Sequence, residues 1–249
     1  MSASYTTDNY YRPAEFRVGG ILQRALELTA QRALTLFPIA IVLLAPLLWF
    51  EHQLLVLPIR SHGRVPIGFG DALYTNVAQS LFEALVIYAV FQYLRGRTVG
   101  IGETMGLGLR RALPVLGTAL IVGIATGIGL VFFIIPGLLV SVACAVANPA
   151  CVVEGLNPID SIGRSWELTK GYRWSVFGMY VVIGIAGMLA SGVIAAWQHP
   201  ETASTYLILQ YVESVVFTTY GAVVSVIIYH DLRVVKEGVD IDQIAAVFD

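Results

Sequence analysis

The sequence predicts an all-α membrane protein, a bundle of six transmembrane helices with amphipathic helices at one membrane surface. Its 249 residues are 57% hydrophobic and 13% charged, with a mean hydropathy of +0.74, whereas soluble domains carry about 25% charged residues. Apolar stretches of roughly 20 residues, the length that crosses a bilayer, recur along the chain. Basic residues fall almost entirely between alternate pairs of these stretches, which is typical of a polytopic membrane protein.

The six predicted spans follow one another with short connections. The stretch from Ala112 to Val153 carries no charge and is about twice as long as one span needs. Within it, "IIPG" at Ile134–Gly137 predicts a tight turn, because proline lacks an amide and glycine tolerates positive φ. The predicted spans are Ala33–Phe50, extending to about Leu57; Ala72–Leu94; two within Ala112–Val153; Trp174–Trp197; and Ser204–Tyr229.

The distribution of basic residues predicts the orientation. With six spans, thirteen of the fifteen Lys and Arg residues lie on the side that holds both termini, and only Arg60 and Arg64 lie on the other. Basic loops stay in the cytoplasm, so we expect both termini there. The first residues lack the pattern of a signal peptide. We expect a flexible tail over 1–17, a membrane domain over 18–230 and a cytoplasmic tail over 231–249.

A short charged helix is predicted between two spans. Asn157 is a good N-cap, Pro158 suits the first helical position, and Gly171 suits the position after the last turn. We therefore expect a helix from Pro158 to about Lys170, too short to span the membrane. It should lie in the membrane interface with Trp166 at headgroup depth; the alternative is a soluble helix packed on a partner. Its apolar face carries Ile159, Ile162 and Trp166, and its polar face Asp160, Arg164 and Glu167.

Similar segments precede the first, third and fifth spans. They begin at Val18, Val99 and Asn157, and each enters its span through basic residues. This pattern predicts three units, each an interfacial amphipathic helix followed by a helical hairpin.

Two segments resemble a known family. "VVEGLNPIDSIGRSWELTKGYRWSVFG" at Val152–Gly178 and "YHDLRVVKEGVDID" at Tyr229–Asp242 are similar to the glycerophosphoryl diester phosphodiesterase membrane-domain family. The resemblance implies a bacterial inner-membrane protein of about six helices and of mostly unassigned function. Some members carry a fused soluble phosphodiesterase; we expect no such activity here, because this chain has no corresponding soluble domain.

Two acidic residues lie within predicted spans. Glu83 and Glu213 sit at similar predicted depths, and Gln79 and Gln210 lie near them. A carboxylate inside a membrane without a basic partner is protonated or holds a cation. We expect either an intramembrane proton or cation site or, alternatively, a protonated hydrogen bond between helices.

A second group of charged residues is predicted at the cytoplasmic surface. We expect an ion pair of Glu154 with Arg233 or Arg164, with an architectural role. The residues of this interfacial motif are Glu154, Arg164, Trp166, Glu167, Gly171, Asp231 and Arg233.

The sequence contains no catalytic template such as Gly-x-Ser-x-Gly, a P-loop or His-Glu-x-x-His. We therefore expect no enzymatic activity and no cofactor or metal, although His52, His62 and His199 share the predicted outer side. The net charge of −2 gives no reason to expect nucleic-acid binding. The predicted function is a non-enzymatic membrane protein that organises lipids or partner proteins at the cytoplasmic face. The alternative is a transporter or channel for an ion, a proton or a small solute that uses Glu83 and Glu213.

Overall fold

The computed structural model describes residues 16–42, 44–45, 69–94, 101–196 and 203–238, and contains no β-strand within these ranges. For most of 69–78 and 101–109 it describes the backbone alone. The prediction of an all-α chain is confirmed over these ranges. The predicted outer loop with Arg60 and Arg64, most of the N-terminal tail and residues 239–249 lie outside the described residues.

Nine helices lie within the described ranges. They are α1 (Val18–Gln31), α2 (Ala33–Val42), α3 (Phe69–Leu94), α4 (Ile101–Phe132), α5 (Ile134–Ala143), α6 (Ala147–Val153), α7 (Pro158–Thr169), α8 (Arg173–Ala195) and α9 (Ala203–Glu237). The last helix continues through Glu237, so residues 231–237, which the sequence assigns to a tail, are helical.

Four described segments are long and apolar enough to cross a membrane. They are Arg110–Phe132, Ile134–Val153, Arg173–Ala195 and Thr205–Glu237. The bent pair α1 and α2, whose axes differ by 81°, makes a fifth if it is one span. These helices support an integral membrane protein. A count of six spans stays a prediction.

The outer surface of the bundle is apolar. Large side chains such as Val131, Phe132 and Met188 are more than two thirds exposed. The interior, in contrast, is formed around α9 and α3, where Phe82, Ile228 and Tyr229 are fully buried. A soluble protein rarely exposes so much contiguous apolar surface, which agrees with lipid around α4, α5 and α8.

The turn between α4 and α5 lies at Phe133, whose φ is −156° and ψ is 125°. The predicted position of the turn at Ile134–Gly137 is therefore wrong, because these residues form the first turn of α5. Gly137 has another role. A Cβ atom there would lie 2.5 Å from the backbone nitrogen of Leu130, and one on Gly129 would lie 2.7 Å from Cα of Gly137. The glycines let α4 and α5 approach closely.

The predicted threefold repeat is not confirmed. At the first unit the chain bends by 81° between α1 and α2, where the Arg32 guanidinium lies 3.8 Å from the ring centre of Tyr93. At the third, residues Lys170–Tyr172 separate α7 from α8. In the second, α4 runs without interruption past Arg110 and through Pro114, so no separate interfacial helix precedes the span.

We expect Gly137→Ala to destabilise the protein in detergent or nanodiscs by about 1–3 kcal/mol, the usual range for overpacking. Its Cβ would overlap the α4 backbone, which cannot move away as a flexible side chain would. The control is Gly127→Ala, because a Cβ there meets nothing within 4 Å and alanine favours a helix. Equal thermal unfolding temperatures for the two variants would contradict the close packing.

Candidate functional site

The predicted helix at Pro158 is confirmed. The Asn157 side-chain oxygen accepts a 2.9 Å hydrogen bond from the Asp160 amide, which caps the N-terminus of α7. The helix ends at Thr169, and Gly171 follows with a φ of 91°, a conformation that glycine adopts without strain. Local sequence signals therefore determine both ends of α7.

The side of α7 that packs on the protein is rich in hydroxyls. Ser165 and Thr169 are fully buried, whereas Ile159 is 74% exposed and Trp166 is 40% exposed. A helix in water turns its apolar side chains inward and its polar side chains outward. In α7 the apolar face points away from the protein, and the hydroxyl face points into it. The buried residues of α7 are Ser161, Ser165, Leu168 and Thr169.

The hydroxyls of α7 face an interruption in a candidate span. The apolar segment Ile134–Val153 is broken between α5 and α6. Pro149 lies in the first turn of α6 and lacks the amide that would bond to the carbonyl of Ala145, four residues earlier. Its ring also crowds that carbonyl, which favours a kink or a break in the helix here. Such a break leaves backbone groups that need partners.

Side chains of α7 and α8 supply those partners. The Ser165 hydroxyl donates to the Ala143 carbonyl at 2.8 Å and accepts from the Val146 amide at 3.2 Å. Thr169 donates to the same Ala143 carbonyl at 3.1 Å. The Tyr180 hydroxyl, on α8, lies 3.5 Å from the Ala145 carbonyl oxygen. The interruption is therefore closed by protein groups, as backbone at membrane depth requires.

A cluster of five polar residues joins α7 to the ends of α6 and α9. The Glu154 carboxylate accepts from Arg164 Nε at 2.9 Å and from the Tyr229 hydroxyl at 2.7 Å, and lies 3.8 Å from Arg233 Nε. Glu237 pairs with the same two arginines, with Arg233 Nε at 3.0 Å. Glu154 thus meets both partners that the sequence predicts for it. We call these residues the Glu154 cluster.

The partners of Arg164 in the Glu154 cluster stabilise its charged form. Partial burial disfavours the charged guanidinium of Arg164, but hydrogen bonds and charge from Glu154 and Glu237 outweigh this effect, so the pKa of Arg164 lies above its ordinary value. Removal of one partner would leave the others partly buried without a counter-charge, which lowers the stability of the protein. The arrangement is suited to holding α7 in place.

Asp231 belongs to a different contact from the one predicted. Its carboxylate is fully buried and binds the Arg24 guanidinium through both oxygens, one of them at 3.2 Å. His230 Nδ1 lies 3.2 Å from the same carboxylate. The Tyr220 hydroxyl also donates to the Leu22 carbonyl at 3.0 Å. These contacts hold α1 against α9, so Asp231 serves α1 rather than α7.

Glu83 and Glu213, which the sequence predicts to lie within the membrane, contact different helices. Glu83 accepts a 2.8 Å hydrogen bond from Asn148 on α6, whereas Glu213 accepts from Ser191 on α8. Asn148 is six residues from Glu154, or about 9 Å along α6, and Glu213 is sixteen residues from Tyr229, or about 24 Å along α9. The expectation of similar depths stays a prediction.

The polar neighbours predicted for these glutamates do not join them. Gln79 is exposed and Gln210 is half-buried. Instead, the neighbours of Glu83 are Asn148 and Tyr180, whose phenol lies within electrostatic range of the carboxylate. Both lie at the interruption between α5 and α6, so Glu83 is the glutamate that faces the irregular backbone.

Several residues of the site were not predicted from the sequence. The serine and threonine face of α7 has a sequence signal, since positions 161, 165 and 169 lie on one side of a helix. Pro149 signals the break that this face covers. For Arg24, Asn148 and Tyr229 there is no such signal, because their partners lie at least 65 positions away in the sequence.

Residues 71–232 match the profile of a family described as a domain of unknown function, DUF7847. The chain belongs to this family. The matched segment begins in α3 and ends in α9, so it contains Glu83, the interrupted span and α7, and it leaves out α1. No curated protein and no solved structure matches the chain. The description of the DUF7847 family names no chemistry, so function has to be argued from the site.

We expect Ser165→Ala to lower the stability of the protein by about 1–3 kcal/mol, because the Val146 amide loses its acceptor inside the bundle. The matched control is Ser141→Ala, whose hydroxyl donates within its own helix to the Leu138 carbonyl at 2.8 Å. Thermal unfolding in nanodiscs measures both. If Ser165→Ala unfolds no earlier than Ser141→Ala, the hydroxyl does not stabilise the interruption.

Proposed function

We propose that this chain is a non-enzymatic protein of the bacterial inner membrane that holds lipids or partner proteins at its cytoplasmic face. The surface that does so is formed by α7, the start of α8 and the end of α9. In this proposal the chain crosses the membrane six times and both termini are cytoplasmic. The resemblance to the glycerophosphoryl diester phosphodiesterase membrane-domain family agrees with such a protein and stays a prediction.

One observation carries the proposal, namely that α7 has three faces suited to three environments. At 100° per residue, Ile159 and Trp166 lie on one face, Asp160 and Glu167 on a second, and the buried hydroxyls on a third. The first suits lipid, the second water and the third the protein. A helix at a membrane interface needs this arrangement, and a soluble helix packed on its own domain does not.

The charge distribution supports the proposed orientation. The described basic residues that contact α7, its flanking loops or the end of α9 all lie at the same end of the bundle. They are Arg24, Arg111, Arg164, Arg173, Arg233 and Lys236. Basic side chains are retained on the cytoplasmic side of bacterial membranes, so this end is the one that we assign to the cytoplasm.

A photo-reactive amino acid at position 159 tests the proposed surface. In native membranes we expect it to capture phospholipid or a partner protein, because Ile159 is 74% exposed on the apolar face. The control is the same amino acid in place of Asp160, which is exposed on the polar face in the first turn of α7 and should capture no phospholipid. Adducts are identified by mass spectrometry. Equal lipid capture at the two positions, or capture of neither lipid nor protein at position 159, would refute the proposal.

A second candidate function is transport of a proton or cation through Glu83. The observation that favours it is the hydrogen bond between Glu83 and Asn148 beside an interrupted span. Transporters bind their substrates where helices are broken within the membrane, and an acidic residue there is a common proton or ion site. Glu213, bonded to Ser191 about 24 Å from Tyr229 along α9, has no such setting.

Flux measurements in proteoliposomes decide between the two functions. The first proposal predicts no proton or monovalent-cation flux above that of empty liposomes. If flux is present, transport through Glu83 predicts that Glu83→Gln abolishes it, whereas Glu213→Gln, which removes the same charge, retains most of it. Flux that is lost in Glu83→Gln and kept in Glu213→Gln would refute the scaffold function and support transport through Glu83. Flux that neither variant changes would contradict both.

A further inference from the structure

Three cationic side chains meet at the C-terminal end of α7. They are Lys170 just after the helix, Arg173 at the start of α8 and Lys236 near the end of α9. The Arg173 guanidinium lies 4.3 Å from the ring centre of Trp166, and Lys236 Nζ donates to the Glu167 carbonyl oxygen. The charges of Lys170 and Arg173 both act on Lys236. We call these three residues the α7 basic patch.

Among the described residues, no carboxylate forms an ion pair with a member of the α7 basic patch. Arg164 and Arg233, in contrast, each form such a pair. The Glu167 carboxylate acts on Lys236 and offsets part of the charge. Arg173 and Lys236 each donate to one carbonyl at the end of α7, but a guanidinium has five donors and an ammonium three. Positive charge and free donors therefore remain.

An apolar surface adjoins the α7 basic patch. Trp174, the next residue after Arg173, is 85% exposed and makes an edge-to-face contact with Phe177, with the ring centres 6.0 Å apart. Beyond it the outer face of α8 is apolar along its length, with Val182 51% and Met188 78% exposed. A free anion in water would make no contact with this apolar surface. A phospholipid supplies both a phosphate and acyl chains.

We propose that the α7 basic patch binds the phosphate of an anionic phospholipid whose acyl chains lie along Trp174 and α8. Lys170 and Lys236 pair with the phosphate, and the Trp174 indole lies at the level of the glycerol backbone, the depth that tryptophan favours. An anionic headgroup is preferred over a zwitterionic one, because the latter carries a cation of its own. This inference deepens the proposed function and rests on α7 lying at the headgroup layer.

Native mass spectrometry of the full chain tests the site. The protein in detergent is titrated with phosphatidylglycerol, with phosphatidylcholine and with inorganic phosphate. We expect phosphatidylglycerol to bind more tightly than the other two. Lys170→Gln and Lys236→Gln should each weaken its binding about fivefold, the effect of one basic residue near a charged lipid. The control is Arg110→Gln, which removes an exposed charge at the start of another candidate span and should change the affinity less than about twofold.

Each other outcome overturns the lipid site. If both lysine variants bind phosphatidylglycerol as the unmodified chain does, the patch does not bind it. If Arg110→Gln weakens binding equally, the attraction is a property of the whole basic end. If inorganic phosphate binds as tightly, the site recognises a free anion. The cross-linking result at position 159 is independent: lipid capture there without phosphatidylglycerol preference removes this site but leaves the proposed function.

Discussion

The structure depends on the contact between the hydroxyl face of α7 and the break between α5 and α6. The apolar segment Ile134–Val153 is interrupted between Ala143 and Ala147, and Pro149 favours this break. The freed backbone groups at Ala143 and Val146 then need hydrogen-bond partners, and in a bilayer water cannot provide them. Ser165 and Thr169 provide them. The hydrogen bonds that satisfy the backbone at the break therefore also hold α7 in place.

This contact explains why α7 exposes its apolar side. With the hydroxyls turned inward, Ile159 and Trp166 must point away from the protein. The Glu154 cluster then fixes α7 to α9, and Arg24 with Asp231 fixes α1 to the same helix. Both α1 and α7 are thus bound to α9. Their charged contacts lie at a single end of the bundle, where the α7 basic patch also lies.

The interruption also gives Glu83 its setting. Asn148, which bonds to Glu83, lies in the first turn of α6, and Tyr180, which contacts the Ala145 carbonyl, lies near the same carboxylate. The break between α5 and α6 therefore contacts both α7, which carries the proposed lipid surface, and Glu83, the candidate ion site. For that reason the choice between a scaffold and a transporter requires flux measurements as well as the position of α7.

The sequence by itself determined the all-helical class, the apolar segments, the caps of α7 and the pairing of Glu154 with Arg164, because hydropathy, capping residues and nearby charges act over short distances along the chain. Only the tertiary structure decided that Asp231 binds Arg24, that Glu83 and Glu213 contact different helices, and that Gly137 serves close packing instead of a turn. Those outcomes depend on which helices are neighbours. Composition does not encode that choice, since apolar helices of similar length can pack in many orders.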